Sequence, residues 1–452
     1  MKKRLAVLNV VGLCERELQA MPFLKKWAEG RERQSFTPAF PAVTCTAQSS
    51  YLTGKSVDEH GIVGNGWYDR EAAEVKFWKQ SNHLVKGEKL WENLRAVNPD
   101  FRCAKWFWWY NMYSSAEFSM TPRPMYPADG RKVFDVYAHP LVLRDEVKKE
   151  LGDFPFPAFW GPRAGIASSQ WIADSAKWIE VREKPDLNLV YLPHLDYALQ
   201  KDGPGSEEAD QACQEIDQLL AQLIPFLEER SIEVIVLSEY GISQVNRVVH
   251  LNRLFREKGW LTIKDELGLE QLDCGASRVF AVADHQVAHI YLNDRSLEGE
   301  VRELLSGTEG VEEIRPGWQG LGGERGGDLL AVAESDCWFS YYYWLDDSLA
   351  PDFARTIDIH RKPGYDPVEL FIDPQLRYPQ LKVAGFLAKK KLGLRGLLDV
   401  IPLDANLVKG SHGRDQVGRD EQPLLIGNGS SAVRSAEDIF YYLKGRAELD
   451  EG

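Results

Sequence analysis

A short window of the sequence, Pro38–Asn65, combines a threonine, glycine turns and an asparagine in a spacing that could support phosphoryl chemistry. It reads PAFPAVTCTAQSSYLTGKSVDEHGIVGN. The pattern predicts a tight loop that presents the Thr44 hydroxyl, then a helix, then a second loop that carries the Asn65 amide. A helix N-terminus offers unpaired N–H groups and positive potential, which suit an incoming phosphoryl group. Pro38 and Pro41 restrict the approach and keep the helix from starting early.

Polar side chains also occur at the ends of three predicted strands. The apolar runs Leu5–Val11, Leu187–Leu192 and Ile232–Leu237 are typical of buried parallel strands. Asn9, Asp196 and Glu239 lie at or just after the ends of these runs. Because ligands collect at the carboxyl ends of parallel strands, we expect these three side chains to share one site.

Helical patterns alternate with these strands and predict the fold class. Residues 165–184 and 206–231 each begin with small or hydroxyl residues suited to capping and continue with apolar residues at helical spacing. Strand–helix alternation predicts a three-layer α/β/α fold with a mainly parallel sheet. The pattern changes between residues 251 and 400, so we expect a core at 1–250, an inserted α+β cap at 251–400 and a C-terminal core segment at 401–452.

Composition restricts the partners of the chain. It has 452 residues, a net charge of −14 and 44% hydrophobic residues, which indicate an ordinary globular protein with a large core. The negative charge argues against nucleic acid and would repel a phosphate ester. Phosphate chemistry would therefore need local cations, most simply bound metal ions.

The sequence also bears on location. The six cysteines are scattered without a paired motif, which favours reduced thiols in the cytoplasm. The N-terminal MKKRLAVLNVVGL resembles a signal peptide superficially, but Asn9 and the short apolar run indicate a strand. We expect no membrane insertion. The basic and apolar segment Phe386–Leu398 could contact a membrane surface, although such segments are more often solvated helix faces.

Two further regions supply candidates for substrate binding. Residues 104–140 are rich in Trp and Tyr and would form either a substrate wall or a packed core. Lys105 in this region could bind an anion. Within the cap, His360, Arg361 and Lys362 form a charged cluster that could clamp a second anionic group.

The Thr44 window resembles the nucleophile segment of the type I phosphodiesterase/nucleotide pyrophosphatase branch of the alkaline phosphatase superfamily. That branch has the pattern FP-x-x-T, then an apolar T-G, then HGI and an Asn. The matching residues here are Phe40, Pro41, Thr44, Thr53, Gly54, His60, Gly61, Ile62 and Asn65. The resemblance implies an alkaline-phosphatase-like core with a cap like that of phosphonoacetate hydrolase. It also implies that Thr44 is the nucleophile and that Asn65 stabilises the phosphoryl oxygens.

The same resemblance implies two divalent metal ions, zinc in the family, but several ligand positions are substituted. Asn9, Thr44, Glu239 and Tyr240 stand at the first metal, where the family has Asp, Thr and an Asp-His pair. Asp196, Gln200 and His412 stand at the second metal, where the family has Asp and two His. Because amide and phenol oxygens are poor zinc ligands, the substitutions favour Mg²⁺, Mn²⁺ or Ca²⁺.

Together these observations predict a metal-dependent phosphoesterase that hydrolyses a small phosphodiester or phosphonate-type metabolite through a phosphorylated Thr44. Two alternatives remain open at this point. The chain could be a non-catalytic descendant that binds a phosphorylated metabolite or a partner. It could also be a phosphoryl transferase or mutase that acts on a small metabolite.

Overall fold

A mainly parallel sheet of eight strands forms the centre of the protein, whose computed structural model describes residues 3–448. The sheet has the order β2-β20-β9-β1-β8-β5-β6-β7. The strands of the described chain are β1 (Arg4–Val10), β2 (Arg33–Ser35), β3 (Gly66–Asp69), β4 (Glu74–Phe77), β5 (Cys103–Trp106), β6 (Phe118–Pro122), β7 (Val136–His139), β8 (Leu187–Leu192), β9 (Ile232–Leu237), β10 (Ser243–Gln244), β11 (Arg247–Val249), β12 (Ile263–Glu266), β13 (Leu269–Leu272), β14 (Val279–Asp284), β15 (Val287–Leu292), β16 (Val311–Pro316), β17 (Leu329–Ala333), β18 (Cys337–Phe339), β19 (Gly410–Ser411) and β20 (Leu424–Ile426).

Helices surround this sheet. In the described part of the chain they are α1 (Glu15–Leu18), α2 (Pro22–Ala28), α3 (Thr44–Thr53), α4 (Val57–His60), α5 (Leu90–Val97), α6 (Val142–Leu151), α7 (Ile166–Glu183), α8 (His194–Lys201), α9 (Glu207–Glu228), α10 (Leu251–Glu257), α11 (Glu298–Ser306), α12 (Gly320–Arg325), α13 (Pro379–Lys391) and α14 (Asp438–Glu448). One group, α2, α7, α8 and α9, packs together and contacts β8 and β9, while α3, α5 and α14 form another group against β1. The predicted α/β fold with a large parallel sheet is confirmed.

The register of the central strands brings the predicted polar positions together. Strand β1 pairs in parallel with β8 on one side and with β9 on the other, so that Asn9 lies opposite Tyr191 and Leu237. All residues of β8 are buried, as expected for a strand covered on both faces. The loops that follow these three strands therefore open at one edge of the sheet, where a shared site can form.

A second, antiparallel sheet belongs to the region that the sequence marks as a cap. Its order is β14-β15-β17-β16, and its strands pack into an apolar cluster largely separate from that of the central sheet. Tyr68 and Phe77, from the first part of the chain, join this second cluster. We propose that residues 251–400 are an inserted subdomain. The separate cluster supports this division, although the flanking segments contribute side chains to it.

In residues 3–448, every helix is too short or too polar to cross a bilayer. The six cysteines are all buried free thiols.

Candidate functional site

Thr44 is the first residue of α3 and lines a large cavity at the edge of the central sheet. Helix α3 is buried along its whole length, and Gly54 ends it with a φ of 64° that a side chain would strain. The Tyr51 hydroxyl of this helix donates a hydrogen bond to the Ser238 carbonyl (2.9 Å), beyond the end of β9. This bond ties the C-terminal half of α3 to the segment that follows β9.

Asn65 lies beside this helix N-terminus and is held by the cap. Its amide oxygen accepts a hydrogen bond from the Cys45 backbone N–H (3.1 Å). Its own backbone N–H and side-chain amide donate to the two oxygens of Asp284, at 2.7 and 3.0 Å. Burial raises the pKa of Asp284 to about 7, and the two bonds from Asn65 oppose that rise. Asp284 therefore fixes the orientation of the amide that faces the cavity.

The histidine of the HGI motif has a structural position. His60 is fully buried, and its Nε2 pairs with the Ser50 hydroxyl (3.1 Å) while its Nδ1 accepts from the Ile62 backbone N–H (3.0 Å). Burial lowers the pKa of His60 to about 3, so the ring is neutral. It joins α3 to the loop that carries Asn65.

Asn9 and Glu239 meet at the ends of β1 and β9. The Asn9 amide donates to Glu239 Oε1 (2.6 Å), and the Gln48 amide donates to the same oxygen (2.6 Å). Burial raises the pKa of Glu239 to about 8, although both bonds lower it. Among the described residues, Asn9 Oδ1 and Glu239 Oε2 have no hydrogen-bond partner. Two buried oxygen acceptors thus remain available near Thr44.

Asp196, by contrast, is already engaged by neighbouring side chains. Gln200 donates to its Oδ2 (2.7 Å), and the Tyr240 hydroxyl donates to its Oδ1 (3.3 Å). The Tyr240 oxygen also lies 3.1 Å from Thr44 Oγ1, while the Tyr365 hydroxyl donates to Gln200 Oε1 (2.9 Å). Burial raises the pKa of Asp196 to about 7. Thr44, Tyr240 and Asp196 therefore form one continuous hydrogen-bonded row.

Four aromatic rings stack beside this row. His412 lies between Tyr240 and His285, and His285 lies in turn against Tyr365; each neighbouring pair has ring centroids 3.6 Å apart. The His412 Nδ1–H donates to the Ala42 carbonyl (2.7 Å), which leaves the Nε2 lone pair without a partner in the described chain. Burial lowers the pKa of His412 to about 3, so the imidazole is neutral.

These contacts decide which metal positions the residues fit. At the first position, Asn9 Oδ1 and Glu239 Oε2 have no hydrogen-bond partner in the described chain, and the Thr44 hydroxyl lies close enough to Glu239 to lower its pKa. This oxygen set suits a hard divalent cation. At the second position, both Asp196 oxygens and both polar atoms of Gln200 are used in side-chain hydrogen bonds, so that of the three predicted ligands only His412 Nε2 is free. His285 Nδ1, on the ring stacked against His412, also has no partner in the described chain. The residues therefore suit one cation bound by oxygen better than a zinc pair.

The cavity above Thr44 is large, about 2440 Å³, and its wall is aromatic and basic. Twelve Lys or Arg residues line it against six Asp or Glu residues, although the whole chain carries a charge of −14. The aromatic part of the wall includes Trp67, Trp78, Trp109, Tyr113, Tyr126, Phe156, Trp160 and Tyr197. Within residues 104–140, Trp106 and Trp108 pack in the core and Trp109 and Tyr113 line the cavity, so this stretch contributes to both.

The structure separates the four predicted substrate-binding residues into two pairs. His360 and Arg361 line the cavity. Lys105 is buried outside its lining, where its ammonium donates to the carbonyls of Trp109 (2.7 Å) and Tyr110 (2.9 Å). Lys362 is also buried and forms ion pairs with Asp366 and Glu369, both at 2.7 Å. Lys105 and Lys362 thus support the wall, and we do not propose substrate contact for them.

Sequence reasoning missed three residues that complete the site: Asp284, His285 and Tyr365. In the segment VFAVADH, Asp284 is the last residue of strand β14 and His285 follows it. The rule that identified Asn9, Asp196 and Glu239, a polar residue at a strand end, also applies to them. Tyr365 lies in the cap loop that ends the cluster around Arg361, and no local pattern points to it.

A family model described as type I phosphodiesterase / nucleotide pyrophosphatase matches residues 5–366. The chain belongs to this family. The resemblance inferred from the Thr44 window is therefore confirmed, and the match extends through most of the predicted cap.

Curated relatives share the family at low identity. An uncharacterised pyrophosphatase/phosphodiesterase of Schizosaccharomyces pombe is 26% identical over 261 residues, which cover 55% of this chain and 43% of that protein. Mouse ectonucleotide pyrophosphatase/phosphodiesterase family member 1 is 23% identical over 236 residues, which cover 50% of this chain and 22% of that protein. The chain thus spans less than half the length of these relatives.

Solved structures resemble the chain over nearly its whole length. Phosphonoacetate hydrolase from Sinorhizobium meliloti 1021, bound to phosphonoacetate, has a TM-score of 0.59 at 15% identity. An inactive variant of murine ectonucleotide pyrophosphatase / phosphodiesterase 5, bound to AMP, has a TM-score of 0.57 at 14% identity. Each comparison covers 99% of this chain and 96% of the other. At these identities the likeness establishes the fold.

Proposed function

We propose that the chain hydrolyses a small phosphodiester, pyrophosphate or phosphonate-type compound, with Thr44 as the nucleophile. The observation that carries this proposal is the placement of the Thr44 hydroxyl at the N-terminus of α3, facing a basic cavity and linked through Tyr240 to Asp196. The family to which the chain belongs and the ligands named for its structural neighbours, AMP and phosphonoacetate, support the same substrate class.

The hydrogen-bonded row suggests how the threonine is activated. Because Tyr240 donates to Asp196, its oxygen is free to accept the Thr44 proton. As the bond from Thr44 Oγ to phosphorus forms, the Thr44 proton moves to Tyr240 and the phenolic proton moves to Asp196. The bond from phosphorus to the leaving group breaks in the same step, and the leaving group departs with the bonding electrons and takes a proton from solvent. An Asp with a pKa of about 7 is suited to hold a proton and then release it near neutral pH. Water would then hydrolyse the phosphothreonine, and Thr44 would recover its proton by the reverse path.

The same geometry suggests how negative charge is stabilised. The side-chain amide of Asn65 and the basic residues of the wall offer donors to the phosphoryl oxygens. Asn9, Thr44 and Glu239 would hold one divalent cation, which when bound would withdraw electron density from the phosphoryl group and from the Thr44 hydroxyl. The unpartnered oxygens of Asn9 and Glu239 support this assignment.

Turnover of bis-p-nitrophenyl phosphate by wild type and Thr44→Ala, with Mg²⁺, Mn²⁺ or Zn²⁺ added in turn, tests the proposal. Loss of the nucleophile should lower kcat by at least about 10³-fold. Thr53→Ala is the matched control, because it removes a hydroxyl of the same helix that donates to the Ser49 carbonyl and lies outside the cavity lining. Equal turnover by Thr44→Ala and wild type would refute the role of Thr44.

One observation favours a second candidate, a non-catalytic protein that binds a phosphorylated compound. The position of the second family metal is filled by hydrogen bonds among Asp196, Gln200, Tyr240 and Tyr365. Calorimetry with AMP and inorganic phosphate separates the candidates: binding at the cavity without turnover under any ion would favour the second. For either function we propose a cytoplasmic location, which the six free thiols support.

A further inference from the structure

An unusual surface lies at the mouth of the cavity, in residues 374–398, which we call the basic leucine segment. It includes α13 and the loop that follows. The segment contains six Lys or Arg residues and no Asp or Glu, within a chain whose net charge is −14. Leucines are interspersed with these cations. Such a composition marks a surface that attracts anions and also has apolar area to bury.

Most leucines of this segment are exposed to solvent, whereas Leu376 and Leu398 are partly buried. Leu381, Leu392 and Leu394 are 70%, 76% and 59% exposed. Helix α13 is 13 residues long and has no buried residue. Single exposed leucines are ordinary on protein surfaces, but several on one short basic segment indicate a surface that a partner covers.

Few contacts hold the basic leucine segment against the rest of the protein. Val383 and Leu398 pack partly against the cap cluster, and Lys382 pairs with Asp399 (2.8 Å). Arg395 donates to the Asp129 carbonyl (3.2 Å). An isolated helix of this length is marginal in water, so these few contacts locate α13 without covering it.

The cations of the segment are available for an external partner. No carboxylate of the described chain lies within ion-pair distance of Lys389, Lys390 or Lys391. One face of α13, which includes Val383, Phe386, Leu387, Lys390 and Lys391, lines the cavity mouth, whereas Leu381, Lys389 and Leu392 lie outside the lining. The outer part of the segment therefore presents two exposed leucines beside the Lys389 ammonium, and further unpaired lysines lie at the rim of the cavity.

We propose that the basic leucine segment docks peripherally on the surface of an anionic lipid bilayer. Charge complementarity favours this occupant: the same segment of a second copy would bring two sets of like charges together, five cations on each beside the paired Lys382, whereas anionic headgroups would neutralise them. The exposed leucines would enter the interface while the lysine stems extend to the headgroups. Docking in this way would hold the cavity mouth at the membrane surface. This inference does not depend on the proposed catalytic activity.

Flotation of the purified full-length chain with lipid vesicles tests the proposal. We expect binding to vesicles of mixed phosphatidylcholine and phosphatidylglycerol at low salt, weakening as salt rises, and little binding to phosphatidylcholine alone. The variants Leu381→Ser/Leu392→Ser and Lys389→Glu/Lys391→Glu should each bind about tenfold more weakly or less. Leu267→Ser is the matched control, because Leu267 is fully exposed on the β12–β13 hairpin and lies outside the segment.

Several outcomes would overturn the proposal. These are failure of wild type to bind the mixed vesicles at low salt, equal binding to both vesicle types, and equal binding by wild type and both double variants. Sedimentation measurements that show a dimer which the leucine variant dissociates would assign the surface to a second copy instead. Circular dichroism and a thermal melt of each variant confirm that it is folded, so that weaker flotation reports on the surface itself.

Discussion

Tyr240 determines what the candidate site can do. It stands where the family pattern has a metal-binding histidine, and a phenol with a pKa raised by burial stays protonated near neutral pH. Its hydroxyl accepts from Thr44 and donates to Asp196, so it occupies the space between nucleophile and carboxylate with a hydrogen bond on each side. We therefore propose that Tyr240 provides a path for a proton at a position where the resemblance implies a ligand for a cation.

We predict that Tyr240→Phe lowers kcat for bis-p-nitrophenyl phosphate by about 10²-fold with little change in KM, because it removes proton transfer from Thr44 and retains the ring stacked on His412. Tyr341→Phe is the control. The Tyr341 hydroxyl is also buried but has no hydrogen-bond partner in the described chain. A change in KM alone for Tyr240→Phe would mean that the phenol only contacts substrate.

Lys105 provides a test of burial at the residue scale. Burial lowers its pKa to about 7, whereas a lysine in the unfolded chain has a pKa of about 10.4. Between these values the unfolded lysine binds the proton more tightly than the folded one, so the contribution of Lys105 to the free energy of unfolding should rise with pH from about 7 to about 10. The buried cysteines, whose pKa values are raised, oppose this rise in every variant. Urea unfolding at several pH values should therefore show the rise as a difference between wild type and Lys105→Met, and no such difference between wild type and the exposed control Lys26→Met. Parallel profiles for all three proteins would contradict the prediction.

At the scale of elements, the strand ends explain why part of the site could be predicted. Asn9 lies at the end of β1, and Asp196 and Glu239 follow β8 and β9; these strands pair in parallel, and local pattern is enough to group the three residues. Asn65 and Asp284 are 219 residues apart, and their contact depends on how the cap seats on the core. Local sequence carries no information on that seating. The strand-end rule could have marked Asp284 itself, but its contact with Asn65 appears only in the folded molecule.

The end of α3 gives a prediction about packing between elements. Gly54 has a positive φ, and a Cβ there would meet the Phe440 ring of α14 at 3.0 Å. We expect Gly54→Ala to lower the free energy of unfolding by about 1–2 kcal/mol from backbone strain, with a further loss from the ring contact. Gly30→Ala is the control, since its φ of +83° is similar and a Cβ would meet nothing within 4 Å. If urea unfolding gave the same loss of unfolding free energy for Gly54→Ala and Gly30→Ala, the Phe440 ring would be able to move aside without lowering stability.

At the scale of the whole molecule, charge is distributed unevenly. The chain is acidic, yet basic residues outnumber acidic ones in the cavity wall and in the basic leucine segment at its mouth. Acidic surfaces elsewhere disfavour nonspecific binding of anions, while the basic mouth raises their local concentration. We expect this distribution of charge to favour the entry of anionic ligands into the cavity, before they make any contact with Thr44.

We propose that the number of bound metal ions distinguishes this chain from the two-metal pattern that the resemblance implies. We predict that one Mg²⁺ or Mn²⁺ ion binds per chain and raises Tm, because Asn9 and Glu239 keep free oxygens while Asp196 and Gln200 do not. Glu239→Gln should abolish the rise in Tm, and the exposed control Glu300→Gln should retain it.

The same prediction extends to pH. Glu239 must be ionised to bind a cation, and its pKa without a cation is about 8, so the apparent affinity should increase as pH rises toward 8. Equilibrium dialysis at pH 6.5 to 8.5 measures both the affinity and the stoichiometry; the pH values bracket the Glu239 pKa of about 8. Binding of two ions per chain would contradict the prediction of one. It would show that the hydrogen bonds of Asp196 rearrange to admit a second cation, as in the two-metal arrangement that the resemblance implies.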